Sequence, residues 1–169
     1  MKNIALNTLK YTGIVTLSQY IGSKKIEIAK KHNIGGSPLF SFLARCLIGD
    51  FTTAKLARPA KIRLLEYKIN NTGDTEYTAK SGFINLLTMP EILDPMQCRV
   101  RYSFIVPKDH FSSINFAQSQ FGIGLYTANA TNESDFAAFC KLDGLSENNL
   151  INASLVVDWE LIISNTKVE

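Results

Sequence analysis

Between residues 12 and 32 the chain alternates in two runs separated by a turn. Ile14, Thr16, Ser18 and Tyr20 interleave with Val15, Leu17, Gln19 and Ile21, the period of two that puts successive side chains on opposite faces of a strand. Alternation resumes at Ile26, Ile28 and Lys30 after Gly22-Ser23, so the pattern predicts a hairpin with strands at 12–21 and 25–32. The next segment, "SPLFSFLARCLIGD", changes period. Leu39, Phe42, Leu43, Cys46 and Leu47 recur at helical spacing, one apolar stripe on a helix at 38–48. Ser37 suits the N-cap, Pro38 the first turn, and Gly49 the left-handed residue after the last. So short a helix is marginal alone, so it is expected to lie on a sheet.

Strand patterns then dominate. A strand is predicted at 60–69, followed by the turn-rich "NNTGDTEYTAKSG", a buried strand at 83–88, and a loop pinned by Pro90 and Pro95. Cys98, Val100, Tyr102, Phe104 and Val106 mark the clearest strand; one or two more are expected in 113–128. "SDFAAFCKL" reads as a short helix or loop. The last strand, 152–164, puts Leu155, Val157, Trp159, Leu161 and Ile163 on one face. The sum is a mainly β single domain over 1–169: an antiparallel β-sandwich or barrel of seven to eight strands, with the hairpin at 12–32, one packed helix at 38–48 and sandwich strands within 60–164.

Length adds that the core needs no staples: 169 residues bury about 70% of the unfolded surface. Cys46, Cys98 and Cys140 lie far apart, without a C-x-x-C pair or a histidine at ligand spacing, so neither zinc nor a disulfide framework is expected. The first 15 residues hold Lys2 and Lys10 and no continuous apolar run, so neither a signal peptide nor a membrane span is expected. Four N-x-S/T sequons, at Asn70, Asn129, Asn132 and Asn152, matter only in a secreted protein.

Charge changes the picture more. The net charge is +3, yet residues 1–68 hold 12 basic against 3 acidic side chains and residues 69–169 hold 6 against 12. Such a chain is either stitched together internally or carries one basic and one acidic surface, which favours head-to-tail contact between copies.

Candidate chemistry is sparse. His110 follows Asp109, but no serine occupies a G-x-S-x-G elbow. Asp158 and Glu160 share a strand face roughly 6–7 Å apart, a spacing open to paired-carboxylate catalysis or to an acidic edge facing a basic neighbour. Lys24, Lys25, Lys30, Lys31 and His32, with Lys55, Arg58, Lys61 and Arg63, form a basic run with few interleaved aromatics, and the acidic second half opposes nucleic-acid binding. "GIG" at 122–124 lacks the Lys-Ser/Thr and helix of a phosphate loop. No catalytic residue, cofactor or metal site is expected.

Taken in order, "YTGIVTLSQYIGSKKIEIAKKHN", "SPLFSFLARCLIGDF", "RYSFIVP" and "SLVVDWELIISN" resemble the layout of small virion proteins of tailed bacteriophages, and the Asn- and Lys-rich composition is similar to that of crAss-like phages with podovirus-type tails. The resemblance implies a non-enzymatic subunit of a head-to-tail connector, collar or tail ring. It would be made in the host cytoplasm, reside in the virion, and have copies of itself and other virion proteins as partners, without membrane or nucleic acid. The contact surfaces expected are Lys24, Lys25, Lys30, Lys31, Arg58 and Arg63 on the basic side and Asp158 and Glu160 on the acidic side. The alternative is a capsid-decorating or glycan-binding sandwich, in which "TANATNESD" would supply polar groups beside Tyr126.

Overall fold

The computed structural model describes residues 7–35, 49–50, 52, 58–96, 98–112, 114, 120–145 and 153–167. The helix predicted at 38–48 lies outside the described residues; Gly49 beyond it has φ 77°, the left-handed value expected there. Among the described residues the protein is an antiparallel β-sandwich. Its strands are β1 (Asn7–Ile21), β2 (Lys24–His32), β3 (Ile34–Gly35), β4 (Pro59–Ile69), β5 (Thr75–Ala79), β6 (Ile84–Asn85), β7 (Glu91–Asp94), β8 (Arg99–Val106), β9 (Gln120–Thr127), β10 (Phe136–Lys141) and β11 (Leu155–Lys167). One sheet runs β2-β1-β11-β8-β7; the other runs β3-β10-β9-β4-β5, with β6 also on β4.

The predicted hairpin is β1 and β2, turning at Gly22 with φ 62°. β11 is the centre of the first sheet. Register sets Trp159 between Val15 and Tyr102, and Val157 between Leu17 and Phe104. These residues face Ile62 and Leu64 of β4, Ile123 and Leu125 of β9, and Cys140 of β10, closing one continuous core. Burial pushes the Cys140 thiol up to about 12, so it is an inert packing residue.

Four segments differ from the sequence expectation. The buried strand expected at 83–88 is reduced to the two residues of β6, and Leu87 beyond it is 55% exposed. "SDFAAFCKL" contains β10, paired with β9. It does not alternate because both of its faces are covered: Ala138 and Cys140 enter the main core while Phe139 packs on the far side of the sheet. The turn-rich stretch after β4 contains β5, and the proline-pinned loop contains β7. Both are short edge strands, where prolines and polar residues are tolerated because one side of the backbone faces water.

The "HN" that ends the hairpin has a structural job. Asn33 donates its backbone N–H to the Gly13 carbonyl at 3.2 Å, and its side chain fills the space over Gly13: a Cβ there would stand 1.5 Å from Asn33 Oδ1. Gly13→Ala is therefore expected to cost about 1–3 kcal/mol, as overpacking does. In urea titrations, combining it with Asn33→Ala should give a smaller loss than the two single variants added together. Additive losses would mean that the two residues do not compete for that space.

Candidate interaction surfaces on the two sheets

The first surface is the outer face of the first sheet, where alternation along β11 puts Asp158 and Glu160. The structure corrects the expectation of an exposed acidic surface: their exposures are 7% and 6%. Asp158 accepts hydrogen bonds from Lys25 Nζ and, at 2.7 Å, from Ser103 Oγ. Glu160 lies opposite Arg101 across the β11–β8 ladder; its carboxylate accepts from Arg99 Nε and Arg101 Nη2, each at 2.9 Å. Burial alone would raise the Glu160 carboxyl, but the hydrogen bonds and charges of Arg99 and Arg101 outweigh it and hold it below the usual range. The Arg101 guanidinium is raised in return, chiefly by its hydrogen bond to Glu160. The i, i+2 carboxylates do share a face, but each is engaged by its own chain.

The basic residues do not form one patch. Lys24, Lys25 and Lys30 are exposed along β2, while Lys31, partly buried, donates to the Asp143 carbonyl at 2.9 Å. Arg58 and Arg63 belong to the other sheet: Arg58 is exposed just before β4, and Arg63 within it donates to the Ser81 carbonyl at 2.7 Å and approaches Glu133. Lys25–Asp158 and Arg63–Glu133 join the basic and acidic halves of the chain, so part of the charge asymmetry is spent internally.

What sequence reasoning missed is how unlike the two edges of the first sheet are. At one edge, the β1–β2 hairpin exposes Tyr20, Ile21 and Ile26 beside Lys24 and Lys25. At the other, Ile92 on β7 is 67% exposed, with Met89 at 82% and Met96 at 92% on either side of the strand, next to Glu91. Exposed apolar clusters of this kind mark contact surfaces.

The second surface is the outer face of the other sheet, which carries its own aromatic layer. Gly122 and Gly124 of β9 leave a trough. A Cβ at Gly122 would stand 2.5 Å from the Phe139 ring, and one at Gly124 2.7 Å from the Tyr126 ring. The rings thus occupy the glycine positions, a known way to stabilise glycine within a strand. Around them Tyr67–Phe139, Tyr77–Phe136, Tyr77–Phe139 and Phe83–Tyr126 pack edge to face at 5.0–5.6 Å, a preferred aromatic geometry. Lys61 and Arg63 lie over the Phe83 ring. Burial, followed by the hydrogen bond to Asp143, raises the Tyr67 phenol. "FGIGLY" thus carries packing rather than phosphate recognition.

Above this layer the loop 128–135 is tied down. Tyr126 donates its hydroxyl to the Glu133 carbonyl at 2.6 Å, and Lys61 Nζ donates to the carbonyls of Ala128 and Ala130 at 3.2 and 2.7 Å. Between this loop and β5 lies an open cleft of about 860 Å³.

His110 and Asp109 sit on the 3-10 turn Lys108–Phe111. Among the described residues no three His, Cys, Asp or Glu side chains are grouped to hold a metal ion, and no helix is long and apolar enough to cross a membrane. The chain matches no known family model, no curated protein and no solved structure.

Proposed function

We propose that the protein is a non-enzymatic structural subunit of a tailed-phage virion, repeated in a connector, collar or tail ring. The observation that supports this best is the pair of unlike edges on the first sheet. One combines exposed apolar side chains with lysines, the other combines them with Glu91. A ring needs a heterologous interface in which one surface of a copy meets a different surface of the next, and opposite charge around apolar centres sets register and partner choice. The contacting acid moves from Asp158 and Glu160, which are buried, to Glu91 on β7, whose side chain is 63% exposed although it lies 3.5 Å from Arg101 of its own chain. The second copy of this chain is the occupant that this complementarity selects.

Light scattering after size-exclusion chromatography tests it. The purified chain is expected to form a discrete higher oligomer whose mass falls as salt rises, because the screening length shortens from about 8 Å at physiological ionic strength to about 3 Å at about 1 M salt. Ile92→Lys, an exposed edge position, should return the oligomer to monomer while leaving the far-ultraviolet circular dichroism of the folded chain unchanged. A monomer at every concentration and salt, with Ile92→Lys indistinguishable from it, overturns the ring.

A further inference from the structure

The cleft on the second sheet is separate from those edges. It is lined by Arg63, Tyr77, Thr131, Asn132, Glu133 and Ser134, with Thr75, Glu76 and Thr78 along β5. Its size falls within the range of ligand pockets, about 300–1,000 Å³.

Three properties define what it would take. Its floor ends in a half-buried aromatic, Tyr77, held edge to face against Phe136 and Phe139. Its walls are hydroxyl and amide side chains that donate and accept at once. Its charges leave a single carboxylate in excess: Arg63 stands 3.9 Å from Glu133, and Glu76 accepts from Asn70 Nδ2 at 3.3 Å. A phosphate-rich ligand would meet the two carboxylates, and a lipid would find too few apolar walls. A ring of C–H groups edged by hydroxyls matches all three, stacking on the aromatic while its hydroxyls pair with Thr, Asn and Ser.

We infer that this cleft is a binding site for a neutral oligosaccharide. The wall carrying Thr131 to Ser134 is preorganised by the buried Tyr126 hydroxyl and by Lys61; less ordering is then lost on binding. Asn132 is also oriented, donating its Nδ2 to Asp135 at 2.9 Å and leaving its amide oxygen as an acceptor.

The test is to screen the full chain against an array of neutral hexose and N-acetylhexosamine oligosaccharides, with uronic-acid and sialylated members as a second arm. The best neutral member is then titrated by calorimetry. Tyr77→Ala is expected to weaken that binding by about three- to tenfold, the value of an aromatic contact, while Tyr77→Phe keeps most of it. Because Tyr77 packs on two rings, its alanine variant could lose fold as well as affinity. Ser134→Trp, at an exposed position lining the cleft, narrows it without removing any of the aromatic side chains and should weaken binding at least about tenfold with an unchanged thermal midpoint. No neutral member bound at millimolar concentration, binding of the acidic arm alone, or binding untouched by Ser134→Trp overturns the inference. None of these outcomes depends on whether the chain forms a ring, since the edges and the cleft lie on different sheets.

Discussion

Trp159→Ala is expected to lower the unfolding free energy by about 3–5 kcal/mol, the range for removing a buried Trp or Phe from a core. Trp159 is fully buried at the middle of β11, the central strand of its sheet, with Val15 and Tyr102 beside it in register and the β4 and β9 side chains across from it. No neighbour can relax into so large a space without breaking contact with the opposite sheet. In a chain of this size the loss corresponds to a fall of about 6–20 °C in Tm. It is the only tryptophan, so urea curves must be followed by circular dichroism in both proteins. A loss below about 1 kcal/mol would show that the two sheets do not close over it.

The second large effect lies on the opposite side of the same strand. Glu160→Ala removes the shared acceptor of Arg99 and Arg101 and leaves two cations without it. Breaking a buried pair from one side costs about 3–5 kcal/mol. Both guanidinium groups are about a third exposed and water recovers part of this, so about 2–4 kcal/mol is expected. The pH dependence has a definite sign. The folded carboxyl lies below its ordinary value of 4.5, so the stabilisation is present above that value and is lost as pH falls through the folded one. The gap between wild type and Glu160→Gln should therefore be widest near neutral pH and narrow below about 4.5. Urea titrations at several pH values between 7 and 3 measure it, and a constant gap would sink the assignment.

The most legible strands are those whose two faces differ in polarity. Along β1, β8 and β11 apolar side chains meet the core on one side while the other side carries polar or charged residues, exposed in places and, on β11, buried by ion pairs. β10 was illegible for the opposite reason: with aromatics packed outside as well as inside, its hydrophobic pattern carries no period. The same holds for the site. That Asp158 and Glu160 share a face follows from spacing alone, but their partners depend on how β11 is registered against β8 and on where Lys25 reaches from β2, which no local pattern encodes. The aromatic layer had one signal, two glycines alternating within a strand beside Phe121 and Tyr126, which marks a surface that other side chains must fill.

The five-stranded order of the first sheet has a consequence of parity. Four successive antiparallel pairings separate β2 from β7, so the two outermost strands point the same way. Copies joined through these edges while keeping one orientation would all share a single chain direction. The array would possess a front and a back, and it must either close on itself or extend as a fibre. Its order would be chosen by the small turn between neighbours rather than by any two-fold axis.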